Sequence, residues 1–219
     1  MNIPEIEAGF LDGDGVWCQV FEKPRQRHRR PALFLDRDGV IVEEVLYLHR
    51  VEDVAIILGA GETIAAANQR GVPVVVVCNQ AGIGRGYYGW QDFHDVQRAI
   101  FDALGGLGAH LEGVFACPHH PDAVEPYNHR AHPARKPQPG MLLRAADMLD
   151  IDLEGSWIIG DKASDLLTGR AAGLRGGVLV MTGHGSEHRE AAIALGTLEF
   201  KVLIASSIAE ATALVPLLV

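Results

Sequence analysis

The sequence predicts a doubly wound α/β domain built on a parallel sheet. From residue 31 onward, short runs rich in Val, Ile and Leu alternate with stretches patterned like helices, as in a sheet covered on both faces. Several of those runs end in acids, amides or glycine, which puts polar chemistry where such sheets bind ligands. The 219 residues, 48% hydrophobic and 21% charged, suffice for one domain with a substantial core.

Residues 1–30 read as an N-terminal extension ahead of a domain spanning 31–219. Within it "VWCQVFE" alternates enough for one short strand, and the basic run "KPRQRHRR" at 23–30 reads as a solvated linker. "ALFLD" at 32–36 is the first strand of the domain, and "GETIAAANQRG" at 61–71 the first helix. "VPVVVVCN" at 72–79 makes the second strand, "WQDFHDVQRAIFDAL" at 90–104 a helix, and "LEGVFAC" at 111–117 the third strand. A polar loop over about 117–138 exceeds a simple connection, which marks it as functional or disordered. A helix over "GMLLRAADML", a fourth strand in "SWIIGD", a helix over "ASDLLTGRAAG" and a fifth strand in "GGVLVMTG" follow. A weaker strand and helix occupy "FKVLIASSIAEATALVPLL". No repeat or low-complexity tract interrupts the series.

A formal net charge of −9 argues against nonspecific nucleic-acid binding, so an anionic ligand would need local groups to attract it. Cys18, Cys78 and Cys117 are odd in number and far apart, which points to a reducing compartment rather than a disulfide framework. "MNIPEIEAGF" lacks the pattern of a secretory signal, and no apolar run reaches membrane-spanning length. The expectation is a cytoplasmic protein with neither a nucleic-acid nor a membrane partner.

The first strand runs into Asp36-Arg37-Asp38-Gly39. Two acids closing a buried strand cost free energy unless a cation or a proton compensates, or unless they cap a turn that Gly39 allows. Other strand ends supply matching groups: Cys78-Asn79-Gln80 after the second, Gly160-Asp161-Lys162 after the fourth, with Asp165 one turn on, and Arg135-Lys136 in the long loop. Carboxylates from two strands, an amide pair and a lysine form a candidate Mg²⁺ and phosphate site, since Mg²⁺ takes carboxylates, waters and phosphate oxygens.

"DRDGV", "NQAGIGRG", "RKPQPGM" and "GDKASD", in this order and with "CPHHP" between the second and third, resemble the four motifs of the haloacid dehalogenase (HAD) superfamily of aspartyl-phosphate phosphatases. The resemblance covers roughly residues 31–185 and is nearest to the branches acting on heptose 1,7-bisphosphate and on histidinol phosphate. It implies a Rossmann-like domain, here without a large cap, because no long insertion follows the first strand. It makes Asp36 the nucleophile and Asp38 the acid that protonates the leaving oxygen and later deprotonates water. Mg²⁺ would be held by Asp36, the main-chain carbonyl of Asp38 and Asp161. Asp165 would reach it through water or orient Lys162, or else simply complement the helix dipole. Cys78, Asn79 and Lys136 would bind the phosphoryl group, and Arg135, Gln80, Glu44 and Tyr47 the rest of the substrate.

Two departures stand out. Cys78 occupies a place where the superfamily has Thr or Ser, and a thiol is a poorer donor. Either Asn79 and backbone N–H groups carry more of the load, or Cys78 is a tolerated small residue. Superfamily members with "CPHHP" often close a zinc site with a later Cys pair, and here those positions are His132 and Ala134. Cys117, His119 and His132 would then need His129 or His120 as a fourth zinc ligand; otherwise prolines and hydrogen bonds hold the loop without metal. "GIGRG" at 82–86 reads as loop shaping and His184 as a turn residue. The implied activity is Mg²⁺-dependent hydrolysis of a phosphorylated sugar, nearest to removal of the 7-phosphate of heptose 1,7-bisphosphate through an aspartyl phosphate. The alternatives are hydrolysis of histidinol phosphate, or weak sugar-phosphate binding without efficient turnover.

Overall fold

A computed structural model describes residues 9–21 and 29–219. Most of the basic run at 23–30 lies outside the described residues. The strands are β1 (Phe10–Leu11), β2 (Trp17–Val20), β3 (Arg30–Leu35), β4 (Val74–Asn79), β5 (Gly113–Cys117), β6 (Ile151–Gly160), β7 (Gly176–Val180) and β8 (Lys201–Ala205). The helices are α1 (Ala60–Gln69), α2 (Ala81–Gly84), α3 (Trp90–Gly106), α4 (Gly140–Leu149), α5 (Ala163–Ala171), α6 (Gly185–Ile193) and α7 (Ile208–Ala211).

All eight strands join one sheet in the order β1-β2-β5-β4-β3-β6-β7-β8. Neighbours from β5 to β8 pair in parallel, while β1 with β2 and β2 with β5 pair antiparallel. The chain winds outward from β3 through β4 to β5, then crosses to the other side for β6, β7 and β8. The order therefore reverses at β3, and the cleft beyond the carboxyl ends of β3, β4 and β6 is the topological switch point.

Strand alternation feeds two cores. Leu33 and Leu35 of β3, with Val74 and Val76 of β4, face α1, α3 and α7 through Ile64, Phe93, Ile100 and Ile208. Ala32 and Phe34, with Val75 and Val77, face α4, α5 and α6 through Met141, Leu142, Leu166 and Ala192. Because both faces are covered, the central strands carry apolar runs, such as residues 32–35, 74–77 and 157–159, in which successive residues serve both cores.

Two features depart from expectation. The described part of the N-terminal extension is built into the sheet: Trp17 pairs with Ala116 and Val20 with Gly113. Trp17 stacks on Trp90 of α3 at 5.4 Å, and Arg144 of α4 ties down the β1–β2 turn through Asp12 and Asp14 at 2.7 and 2.5 Å. The helix α6 carries no signal of its own, since only Gly185 and Ala192 are buried along it and no apolar stripe forms.

Candidate active site

β3 ends at Leu35, so Asp36 and Asp38 follow at the mouth of the switch point, with Gly39 turning the chain at φ +80°. A cleft of about 450 Å³ opens there, lined by Asp36, Asp38, Asn79, Lys136, Lys162 and Asp165 among others. Gly39 is required sterically as well: a Cβ there would lie 2.6 Å from Asp161 Oδ2, and one on Gly183 would lie 2.3 Å from the same atom. Two glycines thus let the loops after β3 and β7 close on the Asp161 carboxylate.

Asp36 is almost fully buried. Its Oδ1 accepts from the Arg37 N–H at 2.7 Å and sits 2.9 Å from Lys136 Nζ. Lys136 Nζ also lies 2.7 Å from Asp165 Oδ1 and donates to the carbonyl of Val77 at 3.0 Å. Burial opposes the charge on Lys136, but the flanking Asp165 and Asp36 win and raise its pKa, so the ammonium stays charged. Asn79 explains how a loop residue comes to be so well placed. Its side-chain amide accepts from the Lys136 N–H at 3.0 Å and donates to the Lys136 carbonyl at 3.2 Å, clamping that residue's main chain to the end of β4.

Asp161 follows β6 and Asp165 lies in the first turn of α5, both fully buried. Burial, and next the nearby Asp36 charge, raise the pKa of Asp161. Burial also raises that of Asp165, with Lys136 opposing it. Asp161 Oδ2 accepts from the His184 N–H at 2.9 Å, whereas its Oδ1 is buried with no hydrogen-bond partner. Asp36, Asp161 and Asp165 each bring a carboxylate oxygen within 4.8 Å of the others. A second such group, Glu44, Asp161 and His184, has Lys162 beside it, Nζ 3.3 Å from Glu44 Oε2 and 3.8 Å from Asp161 Oδ2, as Lys136 stands beside the first.

An all-oxygen set with one orphaned buried carboxylate oxygen fits a small hard cation such as Mg²⁺. Asp38 contributes no carboxylate to that set. Arg37, fully buried, grips its Oδ1 with Nε and its Oδ2 with Nη2, both at 3.0 Å. Gln80 Nε2 donates to Oδ2 at 3.3 Å.

The expected residues are brought together with three reassignments. Cys78 is buried and does not line the cleft; its thiol donates to the carbonyl of Phe115 at 3.8 Å, and burial pushes its pKa up to about 12. It packs in the core beneath α1 and α3 rather than lining the cleft, which does not support the expected phosphoryl contact. Asn79, expected on the phosphoryl group, instead holds Lys136. Asp165, expected near the metal or on Lys162, does both of two jobs: it accepts from the Lys162 N–H at 2.9 Å and pairs with Lys136. Glu44, Tyr47, Gln80 and Arg135 all line the cleft. Arg135 is held by a donation to the His119 carbonyl at 2.9 Å, and Tyr47 adopts φ +58° with its hydroxyl taken by Arg85 at 2.7 Å. The sequence assigns Arg37, Arg85, Tyr88 and His184 no site role, and the structure brings all four to the site. The pairing of Arg37 with its neighbour Asp38 has a signal in "DRD"; the others are brought in only by tertiary contacts.

The candidate zinc residues cluster without converging. His119 and His132 stack at 3.7 Å with planes 5° apart, His129 packs edge-on against both, and Cys117 Sγ lies 3.9 Å from His132 Nδ1. That same Nδ1 accepts from the Ala134 N–H at 3.2 Å, and His119 Nε2 is 2.7 Å from the Asp14 carbonyl. His120 turns toward Arg85. Among the described residues this set is not one whose ligand atoms gather within 4.8 Å of one another. His119 Nδ1 is buried without a hydrogen-bond partner, yet as arranged here the side chains do not surround one point as a four-ligand zinc site requires.

A family model for HAD-like hydrolases matches residues 133–211. The chain is 42% identical over 170 residues to a D-glycero-beta-D-manno-heptose-1,7-bisphosphate 7-phosphatase of Mesorhizobium japonicum, covering 78% of each chain. A crystal structure described as a HAD-like phosphatase from Mesorhizobium loti superposes with a TM-score of 0.84 at 36% identity, covering 95% of each chain. A D,D-heptose 1,7-bisphosphate phosphatase from B. bronchiseptica, complexed with magnesium and phosphate, superposes with a TM-score of 0.70 at 28% identity, over 83% of this chain and 95% of that one.

Proposed function

This chain belongs to the HAD-like phosphatases, and from that premise we propose that it is a Mg²⁺-dependent phosphatase removing the 7-phosphate of D-glycero-D-manno-heptose 1,7-bisphosphate. The observation that supports this best is the convergence of Asp36 and Lys136 with the buried Asp161, one of whose oxygens has no hydrogen-bond partner, beyond the strand ends. Relatives named for this reaction, 42% identical over most of the chain, indicate the substrate.

In this reading an Asp36 oxygen attacks phosphorus and the bond to the sugar oxygen breaks, giving an aspartyl phosphate. Splitting the hydrolysis this way replaces one difficult displacement by two easier ones. Asp38 gives its proton to the departing sugar oxygen, then takes one from the water that cleaves the acyl phosphate. Lys136 holds the transferring oxygens while keeping Asp36 aimed. Mg²⁺, when bound by Asp36, the Asp38 carbonyl and Asp161, supplies positive charge against the repulsion between carboxylate and phosphate. Arg135, Glu44 and Tyr47 face the rest of the sugar at the open cleft.

No helix among the described residues is long and apolar enough to cross a membrane. With three free, buried cysteines, a reducing cytoplasm is the compartment this reading assigns.

The test is phosphate release from both anomers of heptose 1,7-bisphosphate and from histidinol phosphate, with and without Mg²⁺. Mg²⁺-dependent release favouring the heptose is expected, and Asp36→Asn reduces it to background while the protein stays folded. Preference for histidinol phosphate would overturn the substrate, and retained activity in Asp36→Asn would overturn the nucleophile.

A further inference from the structure

Gln80 and Tyr88 form a buried polar chain that ends on Asp38. Tyr88, between α2 and α3, donates its hydroxyl to Gln80 Oε1 at 2.6 Å, and Gln80 Nε2 donates to Asp38 Oδ2 at 3.3 Å. Both side chains are at most 9% exposed. The amide of Gln80 has two orientations, and only one presents a donor to the carboxyl; the other would aim a carbonyl dipole at it. With the Tyr88 hydroxyl donating to Oε1 and Nε2 donating to Asp38, the first orientation is satisfied at both ends. The main chain of Gln80 is fixed as well, its N–H donating to the Cys117 carbonyl at 2.8 Å across the β4–β5 boundary.

The other grip on Asp38 is Arg37, itself wedged by Phe93, 5.5 Å from its guanidinium carbon, and by Gln97 at 3.5 Å. The carboxyl of Asp38 is thus held from two directions while it lines the cleft with 18% of its side chain exposed.

We propose that Gln80 and Tyr88 are positioning residues for the proton transfer performed by Asp38, not substrate contacts, an inference that rests on the phosphatase reading above. Tyr88 sets the Gln80 amide, and the amide together with Arg37 aims the carboxyl at the leaving oxygen. The proton moves from Asp38 to that oxygen as the P–O bond breaks and the bond from Asp36 to phosphorus forms. Loss of the chain misaims the donor without touching the nucleophile or Lys136.

The distinguishing readout is the dependence of kcat/KM on leaving-group basicity, because a good leaving group departs without a proton and a poor one does not. Tyr88→Phe and Gln80→Leu are compared with wild type, with Mg²⁺, on substituted phenyl phosphates of similar size, from p-nitrophenyl to phenyl phosphate. Thermal midpoints confirm folding, and Tyr88→Phe, which removes one oxygen, is the milder variant. The expected result is a loss of about tenfold or more on phenyl phosphate, a fraction of the usual worth of general acid catalysis. Losses on p-nitrophenyl phosphate are several-fold smaller than on phenyl phosphate, so the leaving-group dependence steepens. Equal losses across the series, or none, would overturn the proposal while wild-type turnover left the phosphatase reading intact. A wild type that releases no phosphate from any of these esters or from the sugar bisphosphate would overturn both.

Discussion

At the scale of single residues, the site depends on Lys136 more than on any other side chain. It neutralises Asp36 and Asp165 at 2.9 and 2.7 Å where all three side chains are nearly buried. Removing one partner of such a cluster leaves uncompensated buried charge, which costs about 3–5 kcal/mol. Lys136→Ala is therefore expected to lower the unfolding free energy by about that amount in urea titration and to abolish phosphate release. Lys136→Met, which keeps the volume, should lose activity as completely. A variant with wild-type stability would show that solvent or a shifted carboxyl proton relieves the charge. Cys78 teaches the opposite lesson. It sits beside catalytic groups in sequence, yet its thiol bonds to β5, so Cys78→Ser is expected to change kcat by less than about threefold.

Among elements, the 117–138 loop and the N-terminal strands act together. Cys117 bonds to His132, His132 stacks on His119, and His119 reaches the Asp14 carbonyl in the β1–β2 turn. Arg144 holds that turn from α4. These contacts tie the loop to the sheet and to α4. Metal analysis of the purified protein should find zinc far below stoichiometry, and chelation should leave Tm unchanged; stoichiometric zinc would show that the histidines rearrange around it. Burial, followed by the neighbouring His119 and His129, lowers the His132 pKa from its ordinary 6.5 to about 4. The unfolded chain then binds the proton that the folded one refuses, so this contribution to stability is complete above about pH 6.5 and is lost as pH falls toward 4. The Tm advantage of wild type over His132→Gln should shrink across that window, and a constant difference would contradict the assignment.

Taken as a whole, the fold concentrates negative charge at its switch point. Asp36, Asp161 and Asp165 converge there, and burial raises the pKa values of Asp161 and Asp165. A folded-state pKa above the unfolded one favours the folded protein at low pH, and that benefit disappears as pH rises through the folded value. A bound cation reverses the penalty, so Mg²⁺ should raise Tm more at pH 8 than at pH 5. At a hundredfold excess over Kd the gain is about 2.7 kcal/mol, several degrees for a domain of this size. Asp161→Asn should lose most of that shift; an undiminished shift would place the cation elsewhere.

The sequence by itself determined the central sheet, most of its helices, the strand-end positions of Asp36, Asn79 and Asp161, and the place of Lys136 in the long loop. Those features are local: a run such as "VPVVVVCN" is legible because a strand covered on both faces must be apolar throughout, and a strand end is where polar residues resume. Only the tertiary structure decided what each side chain touches. The chain from Tyr88 through Gln80 to Asp38, the clamp of Asn79 on Lys136, the inward turn of the Cys78 thiol and the docking of β2 beside β5 all join residues brought together by sheet order. Spacing along the chain does not encode such contacts. Hydrogen bonds act over about 3 Å, and the strand order and register that bring these groups so close are settled when the two cores pack.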